Sequence, residues 1–322
     1  MTTMLASSSS PFLRNIRRNA AVFVIYGLLL IMFVGASLLS DRFLTDRNLA
    51  NVLRQAAFLG TAALGQMLVI LTGGIDLSVG SLVKLAVLVA ALLMNGRPEM
   101  TWPAVAATLL LGVAVGLLHA LLITKLNVAP FIVTLGSYSV LRGIALTVAT
   151  KPVGRASPAI LDLYDLRLGP VPVLVIGFAL LLVVVAVLLR RSPFGRYIYA
   201  VGGNEQVARL SGLPVNRVKF GVYILCSVLA AVTGLLYVSR MGIGDPVVGD
   251  GLELQTITAV ILGGTSLLGG RGTVLGTLGG VLLLGLTSNL LVVLKVNQWI
   301  QELIQGLIIV GAVALYKQKG RL

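Results

Sequence analysis

Apolar runs of about 20 residues recur along the whole chain, and each is long enough to cross a bilayer as a helix. Hydrophobic residues make up 57% of the 322 residues and charged residues only 11%. An average soluble domain carries roughly 25% charged residues, so a chain of this composition cannot cover a surface that faces water. The sequence therefore predicts an all-α integral membrane protein without a soluble domain.

About ten spans can be drawn, and the pattern supports a range of eight to ten. They cover about 20–40, 51–71, 77–94, 103–124, 130–149, 170–189, 219–239, 252–269, 273–294 and 297–316. Glycine pairs interrupt the ends of 77–94 and 252–269, which we interpret as broken or re-entrant segments. The first run exceeds the apolar core of about 7–15 residues in a signal peptide, so we interpret it as a retained span. The predicted organisation is a tail 1–19, one transmembrane domain 20–316 and a tail 317–322.

The charges between the spans predict the orientation. With ten spans both termini lie on one side, which receives 14 basic residues and one acidic residue, whereas the other side receives nine basic and eight acidic residues. Because cytoplasmic loops carry the excess of Lys and Arg, both termini and the loop 190–219 are predicted to be cytoplasmic. This topology accounts for the net charge of +14 and leaves no compact basic surface for a nucleic acid.

The loop 190–219 contains a predicted helix of two turns, 205–211. Asn204 is a good N-cap and Glu205 opens the first turn, while Arg209 lies in the last turn. Gly212 can end the helix in the left-handed conformation, and Pro214 prevents its continuation.

So short a helix is marginal in water and needs a surface to pack on. Val207, Leu210 and Leu213 offer an apolar edge for that contact. From the local sequence alone, the helix either packs on its own membrane domain or contacts a partner.

The few polar residues in the spans admit either a pathway or a structural role. Asp76 lies in the glycine-rich break 72–80, where it could line a pathway or cap the helix that follows, and we favour the cap. Lys84 lies two turns further on, so a link from Asp76 to Lys84 is one hypothesis. The pathway candidates are Gln66, Asp76, Ser78, His119 and Asn289. Interhelical hydrogen bonding explains Gln66, Asn289 and Glu302 equally well.

Enzyme chemistry has little support in the sequence. The single histidine and the single cysteine, His119 and Cys226, both lie in apolar runs, so no His/Cys metal cluster or Cys/His pair can be built. The glycine-rich segment 263–273 lacks the Lys-Ser/Thr ending of a phosphate loop. We expect no catalytic residue, cofactor or metal here, and any nucleotide hydrolysis must come from another subunit.

Two similar strings introduce glycine-rich breaks in the two halves of the chain. They are VILTGG at 69–74 and VILGG at 260–264. Broken helices at corresponding positions can mark a transport site, although such strings also recur by chance among 37 glycines.

Four segments resemble, in order, the membrane permease subunit of ribose-type sugar ABC importers. They are VILTGGIDLSVGSL at 69–82, KLNVAPFIVTLGSYSVLRGI at 125–144, RSPFGRYIYAVGGNEQVARLSGL at 191–213 and VILGGTSLLGGRGTVLGTLGGV at 260–281. The resemblance extends from about residue 50 to the end of the chain.

The resemblance implies inward transport of a monosaccharide, ribose or a related pentose or hexose, across the bacterial cytoplasmic (inner) membrane. The implied partners are a cytosolic ATPase subunit that binds ATP and Mg, a periplasmic sugar-binding protein, a second permease copy, identical or related, and membrane lipid. The alternative is an ion-coupled secondary transporter of a small polar solute, which the scarcity of buried acids disfavours.

The resemblance also assigns the helix in the loop 190–219 as a coupling helix that seats in a groove of the ATPase. The implied coupling residues are Gly203, Asn204, Glu205, Ala208, Arg209, Leu210 and Gly212. Gln206 and Val207 stand where small alanines are usual in the family. His119 stands where related permeases tend to carry asparagine, so the substrate could differ from ribose if this position touches the pathway.

Overall fold

The computed structural model describes residues 20–297, 299–301, 303–304, 306–308 and 310–311. Glu302 and both predicted tails lie outside the described residues. In chain order the elements are α1 (Ala20–Leu39), α2 (Asp46–Leu71), α3 (Val79–Met94), α4 (Thr101–Thr124), α5 (Pro130–Val148), α6 (Pro158–Asp165), β1 (Arg167–Leu168), β2 (Val171–Pro172), α7 (Val173–Arg191), α8 (Pro193–Gly203), α9 (Glu205–Leu210), α10 (Val215–Met241), α11 (Leu252–Leu262) and α12 (Val274–Val293).

Within the described part of the chain, seven helices are long and apolar enough to cross a membrane: α1, α2, α4, α5, α7, α10 and α12. They coincide with seven of the predicted spans. The two segments predicted to be broken form the shorter helices α3, of 16 residues, and α11, of 11 residues. In the tenth predicted span, the described residues between 299 and 311 are helical.

Besides the single-turn 3₁₀ helix Pro98–Met100, three elements between the spans were missed by the sequence analysis. They are the helices α6 and α8 and the antiparallel pair β1–β2, in which Arg167 lies opposite Pro172 and Leu168 opposite Val171. The expectation of an all-α chain therefore holds except for this two-residue hairpin. The spans were predicted from apolar runs of about 20 residues, and none of these three elements contains such a run.

Helices α2 and α10 form the centre of the bundle. Helix α10 packs against α2, α3 and α4, and α2 also contacts α11 and α12. Glycines bring the backbones together: a Cβ at Gly65 of α2 would lie 2.9 Å from Cys226 Cα, and one at Gly116 of α4 would lie 2.6 Å from Ile224 Cα. Small residues at helix crossings are the usual means of close packing in membranes.

The two ends of the bundle are distinct. The loops before and after α6 and the loop 242–251 meet at one end, called the loop end, where Val153 forms a bridge with Gly244 and Ala156 N–H donates to the Gly242 carbonyl. Helices α8 and α9 lie at the other end, called the α9 end, where Asn216 Nδ2 donates to the Thr124 carbonyl at 3.3 Å.

Arg54, which the charge count assigned to the side opposite the termini, does not lie in a loop. It belongs to the first part of α2, which begins at Asp46 because Thr45 caps the helix by accepting from Asn48 N–H. Its side chain is buried, and its guanidinium lies 4.4 Å from the centre of the Tyr164 ring of α6. This cation–π contact holds α6 against α2.

A reciprocal amide pair joins α2 to α12. Asn48 Nδ2 donates to Asn289 Oδ1 at 3.1 Å, and Asn289 Nδ2 donates to Asn48 Oδ1 at 2.9 Å. Asn48 also donates to the Phe43 carbonyl at 2.9 Å. This geometry agrees with the alternative in which Asn289 forms hydrogen bonds between helices.

Replacing Asn289 by leucine should lower the stability of the protein by about 1 kcal/mol, because the partly buried Asn48 amide loses its partner. The midpoint of thermal unfolding in detergent measures the effect. The double replacement N48L/N289L should recover part of the loss, since no unpaired amide remains. A double variant whose midpoint is lower by the sum of both single losses would contradict the reciprocal pair.

Candidate functional site

Helix α9 is capped at both ends as the sequence predicts. Asn204 Oδ1 accepts a hydrogen bond from Val207 N–H at 3.0 Å. At the other end Gly212 has φ +77°, its N–H donates to the Arg209 carbonyl, and Leu213 N–H donates to the Ala208 carbonyl, both at 3.1 Å. This pair of bonds is a Schellman motif, which requires the left-handed residue. The helix ends at Leu210, one residue before the predicted end.

Ion pairs fix α9 to the start of α10. Glu205 accepts from Arg209 at 3.2 Å within the helix and from Lys219 at 2.6 Å across to α10. Burial alone would raise the pKa of Glu205, but the hydrogen bonds and charges of Lys219 and Arg209 outweigh it and lower the pKa below its usual value. The carboxylate is therefore ionised at neutral pH. Arg209 also donates to Asn216 at 3.3 Å.

The two faces of α9 serve different surroundings. Ala208 is buried against the membrane domain, whereas Val207 is 57% exposed and Leu210 is 89% exposed. Gln206 is exposed as well, so the bulk of Gln206 and Val207 points away from the domain. The helix thus packs on its own domain through Ala208 and presents an apolar edge to the solvent at the α9 end.

The end of α8, just before α9, lies on both glycine-rich breaks. We call this arrangement the glycine junction (Leu71–Gly73, Gly202–Gly203 and Gly269–Gly270). Gly270 N–H donates to the Leu71 carbonyl at 3.0 Å. A Cβ at Gly202 would overlap that same carbonyl, and one at Gly269 would lie 2.8 Å from both the Gly202 oxygen and the Gly73 nitrogen. Side chains would separate these backbones, so the contact depends on glycine.

Beyond the glycine junction, side chains from several helices hold the first break. Asp76 Oδ1 accepts from the Ser78 amide at 2.8 Å and from the Ser78 hydroxyl at 2.7 Å, just before α3 begins. With its amide oriented to satisfy both groups, Gln66 donates to the Asp76 carbonyl at 3.0 Å and accepts from the Asp76 N–H at 3.2 Å. Thr134 of α5 donates to the Ile75 carbonyl at 3.1 Å. Irregular backbone at membrane depth requires partners of this kind.

His119 completes this polar centre. Its Nδ1 lies 3.6 Å from Asp76 Oδ2, and its ring is edge-on to Tyr223 with 6.3 Å between the ring centres. All three side chains are buried, and Asp76 Oδ2, both ring nitrogens of His119 and the Tyr223 hydroxyl have no hydrogen-bond partner among the described residues. The centre is polar, enclosed and separate from the exposed surface of α9.

The structure contradicts the link between Asp76 and Lys84. The Lys84 ammonium lies 2.8 Å from Asp250 Oδ1 and donates to the Pro246 carbonyl, both in the loop 242–251. Lys84 extends along α3 toward the loop end, whereas Asp76 precedes α3 and faces α4.

Four of the five predicted pathway residues converge, and all five are buried. Gln66, Asp76, Ser78 and His119 meet at the first break, while Asn289 lies apart in the amide pair with Asn48. The sequence analysis missed Thr134 and Tyr223, which join the same centre. Each is a single hydroxyl residue in an apolar run, and no local spacing singles it out.

Residues 48–313 match the family described as the branched-chain amino acid transport system / permease component. The chain belongs to this permease family. It is therefore a membrane subunit of a transport system and not an enzyme, and its long apolar helices fit a multi-pass protein of the inner membrane.

The permease has relatives that align over most of its length. The ribose import permease protein RbsC of Escherichia coli (strain K12) is 41% identical over 298 residues, which cover 90% of this chain and 92% of the relative. The protein of the same name from Bacillus subtilis (strain 168) is 41% identical over 296 residues, 90% of this chain and 91% of the relative. The L-arabinose ABC transporter permease protein AraH of Azospirillum brasilense is 36% identical over 291 residues, 88% and 84% of the two chains. No solved structure matches the permease.

Replacing Asp76 by alanine should destabilise the permease by about 1–3 kcal/mol, because the buried Ser78 amide loses its acceptor. Asp76→Asn keeps a side-chain oxygen at that position and should lose less. Thermal unfolding midpoints of the purified variants compare the two. Equal losses in both variants would show that the carboxylate charge, and not the accepted hydrogen bond, is what matters.

Gly202→Ala and Gly203→Ala form a matched pair at the glycine junction. The first should destabilise the protein by about 1–3 kcal/mol because its Cβ meets the Leu71 carbonyl. The second should be neutral or stabilising by about 0.5–1 kcal/mol, because no atom lies within 4 Å of the new Cβ and alanine favours the helix. Thermal unfolding again gives the measurement, and equal midpoints for the two variants would contradict the backbone contact.

Proposed function

We propose that this chain is the permease subunit of an ABC importer that carries a monosaccharide, ribose or a related pentose or hexose, into the cytoplasm. The observation that carries the proposal is the 41% identity, over nine-tenths of the chain, to proteins named as ribose import permeases. The arabinose permease supports sugars as the substrate class. The family description names branched-chain amino acids, whereas the three relatives reported above are named for ribose or arabinose.

In this proposal a separate cytosolic ATPase binds ATP and Mg and drives transport through α9. The exposed side chains of Val207 and Leu210 are the contact surface for a groove on the ATPase. Glu205, Arg209 and the caps at Asn204 and Gly212 hold the helix rigid, so that a push on its exposed edge reaches the membrane domain. Ala208 and Gly203 lie on the side of the permease itself.

The proposed topology has ten spans, with the tails 1–19 and 317–322 and the loop 190–219 in the cytoplasm. The loop end then faces the periplasm, and α6 with Asp162 and Asp165 lies where a sugar-binding protein would dock. A second permease copy completes the pathway. The exposed apolar faces of α1, α5 and α7 supply the area for that copy and for lipid.

The glycine junction offers a route from α9 to the pathway. Gly202 and Gly203 directly precede α9 and touch both breaks, so displacement of α9 displaces the ends of α2 and α11 through backbone contacts. Alternating access needs elements with two arrangements whose balance ATP binding shifts. We propose the two breaks as those elements.

Leu210→Asp should abolish coupling without unfolding the permease, because the side chain is 89% exposed and an acid there opposes an apolar groove. The measurements are sugar uptake, co-purification of the ATPase and stimulation of ATP hydrolysis by the loaded binding protein. Leu168→Asp is the matched control, since Leu168 is 71% exposed in the hairpin at the loop end. If the L210D variant retains sugar uptake and stimulated ATP hydrolysis at the level of the L168D variant, the proposed coupling role of α9 is contradicted.

A further inference from the structure

The loop 242–251 descends deep along α3 from the loop end. At its start, a Cβ at Gly244 would lie 3.0 Å from Ala91 Cβ; further along, one at Gly249 would lie 3.1 Å from the backbone nitrogen of Lys84. From Ala91 to Lys84 is seven residues of helix, or about 10 Å at 1.5 Å per residue. Gly249 also touches Gly80, one further turn down. Helix α11 therefore begins well below the loop end.

Charged side chains gather where this loop ends. Lys84 is buried and binds Asp250 Oδ1 at 2.8 Å, while the Asp250 side chain is 47% exposed. Glu253, in the first turn of α11, is 8% exposed, and its Oε2 has no hydrogen-bond partner among the described residues. Arg142 lies on α5, which packs against α3 as α11 does.

Arg142 is exposed although it lies inside a span. It is six residues before the end of α5, about 9 Å along the helix. Its guanidinium donates to the Tyr138 hydroxyl one turn away at 3.3 Å. A charge at such depth is costly against lipid and normally faces water or protein. Val140 lies two residues before Arg142, on another side of α5. It is also exposed, and its apolar side chain is suited to contact with lipid.

We propose that Tyr138, Arg142, Asp250 and Glu253 form a monosaccharide-binding face in the translocation pathway. The inference rests on the proposed function and assigns the substrate contacts within it. The carboxylates accept hydrogen bonds from sugar hydroxyls, the guanidinium donates to sugar oxygens, and the tyrosine hydroxyl does both. Lys84 is a positioning residue, because it holds Asp250 from the buried side.

Thiol labelling tests whether this face meets water. The wild type, whose single cysteine is the buried Cys226, is the blank. In the complex with the ATPase and the binding protein, Arg142→Cys should react with a charged, membrane-impermeant thiol reagent, and millimolar D-ribose or L-arabinose should slow the reaction several-fold. Val140→Cys should stay unlabelled. Absence of labelling at position 142, when Arg155→Cys at the loop end is labelled, overturns the proposal.

Uptake tests whether the face acts on the substrate. Arg142→Gln and Glu253→Gln should each lower ATP-dependent uptake of labelled ribose or arabinose by about tenfold, since a hydrogen bond to a charged group is worth about one such factor. Their complexes with the ATPase and the binding protein should form with the yield of the wild-type complex. Arg155→Gln removes the same charge outside the face and should transport as the wild type does.

The outcomes separate this inference from the function on which it rests. If the wild type imports one of the sugars and R142Q and E253Q import it equally well, the binding face is wrong and the proposed function stands. If the wild type imports neither sugar with ATP, and its complex is intact, the proposed function fails and the inference fails with it.

Discussion

The structure depends on the need to satisfy every backbone polar group that leaves a helix inside the membrane. Water is absent there, so an unpaired N–H or carbonyl costs several kcal/mol. The chain meets this need at its first break with Gln66, which pairs both backbone groups of Asp76, and with Thr134, which bonds the Ile75 carbonyl. The second break supplies Gly270 N–H to the last carbonyl of α2. Each break is thus stabilised partly by the other.

The same constraint explains why α9 sits where it does. The backbone contacts of the glycine junction leave no room for a side chain at Gly202, so the turn that leads into α9 is held directly against both breaks. The ion pairs of Glu205 with Arg209 and Lys219 then fix the direction of the helix. The apolar side chains of Val207 and Leu210 stay exposed on the other face of the fixed helix.

Local features could be predicted from the sequence, whereas contacts between distant segments could not. The caps of α9 follow from Asn204 and Gly212 within ten residues, and the long spans follow from the thickness of the bilayer. The partner of Lys84 lies 162 residues or more along the chain, in a loop whose descent along α3 no pattern signals. Asn48 and Asn289 are separated by 241 residues. The sequence found Asp76 and His119 separately, but only the fold brings them within 3.6 Å.

Polar side chains between the helices divide into two sets with different physical roles. Asp76 and His119 are fully enclosed, and Asp76 accepts hydrogen bonds from Ser78 in the segment that it holds. Arg142 and Asp250 are exposed instead. An enclosed polar group can be retained for structure alone, because its partners are inside the same chain. An exposed charge inside a span, such as Arg142, is stable only if water or protein rather than lipid covers that face of α5.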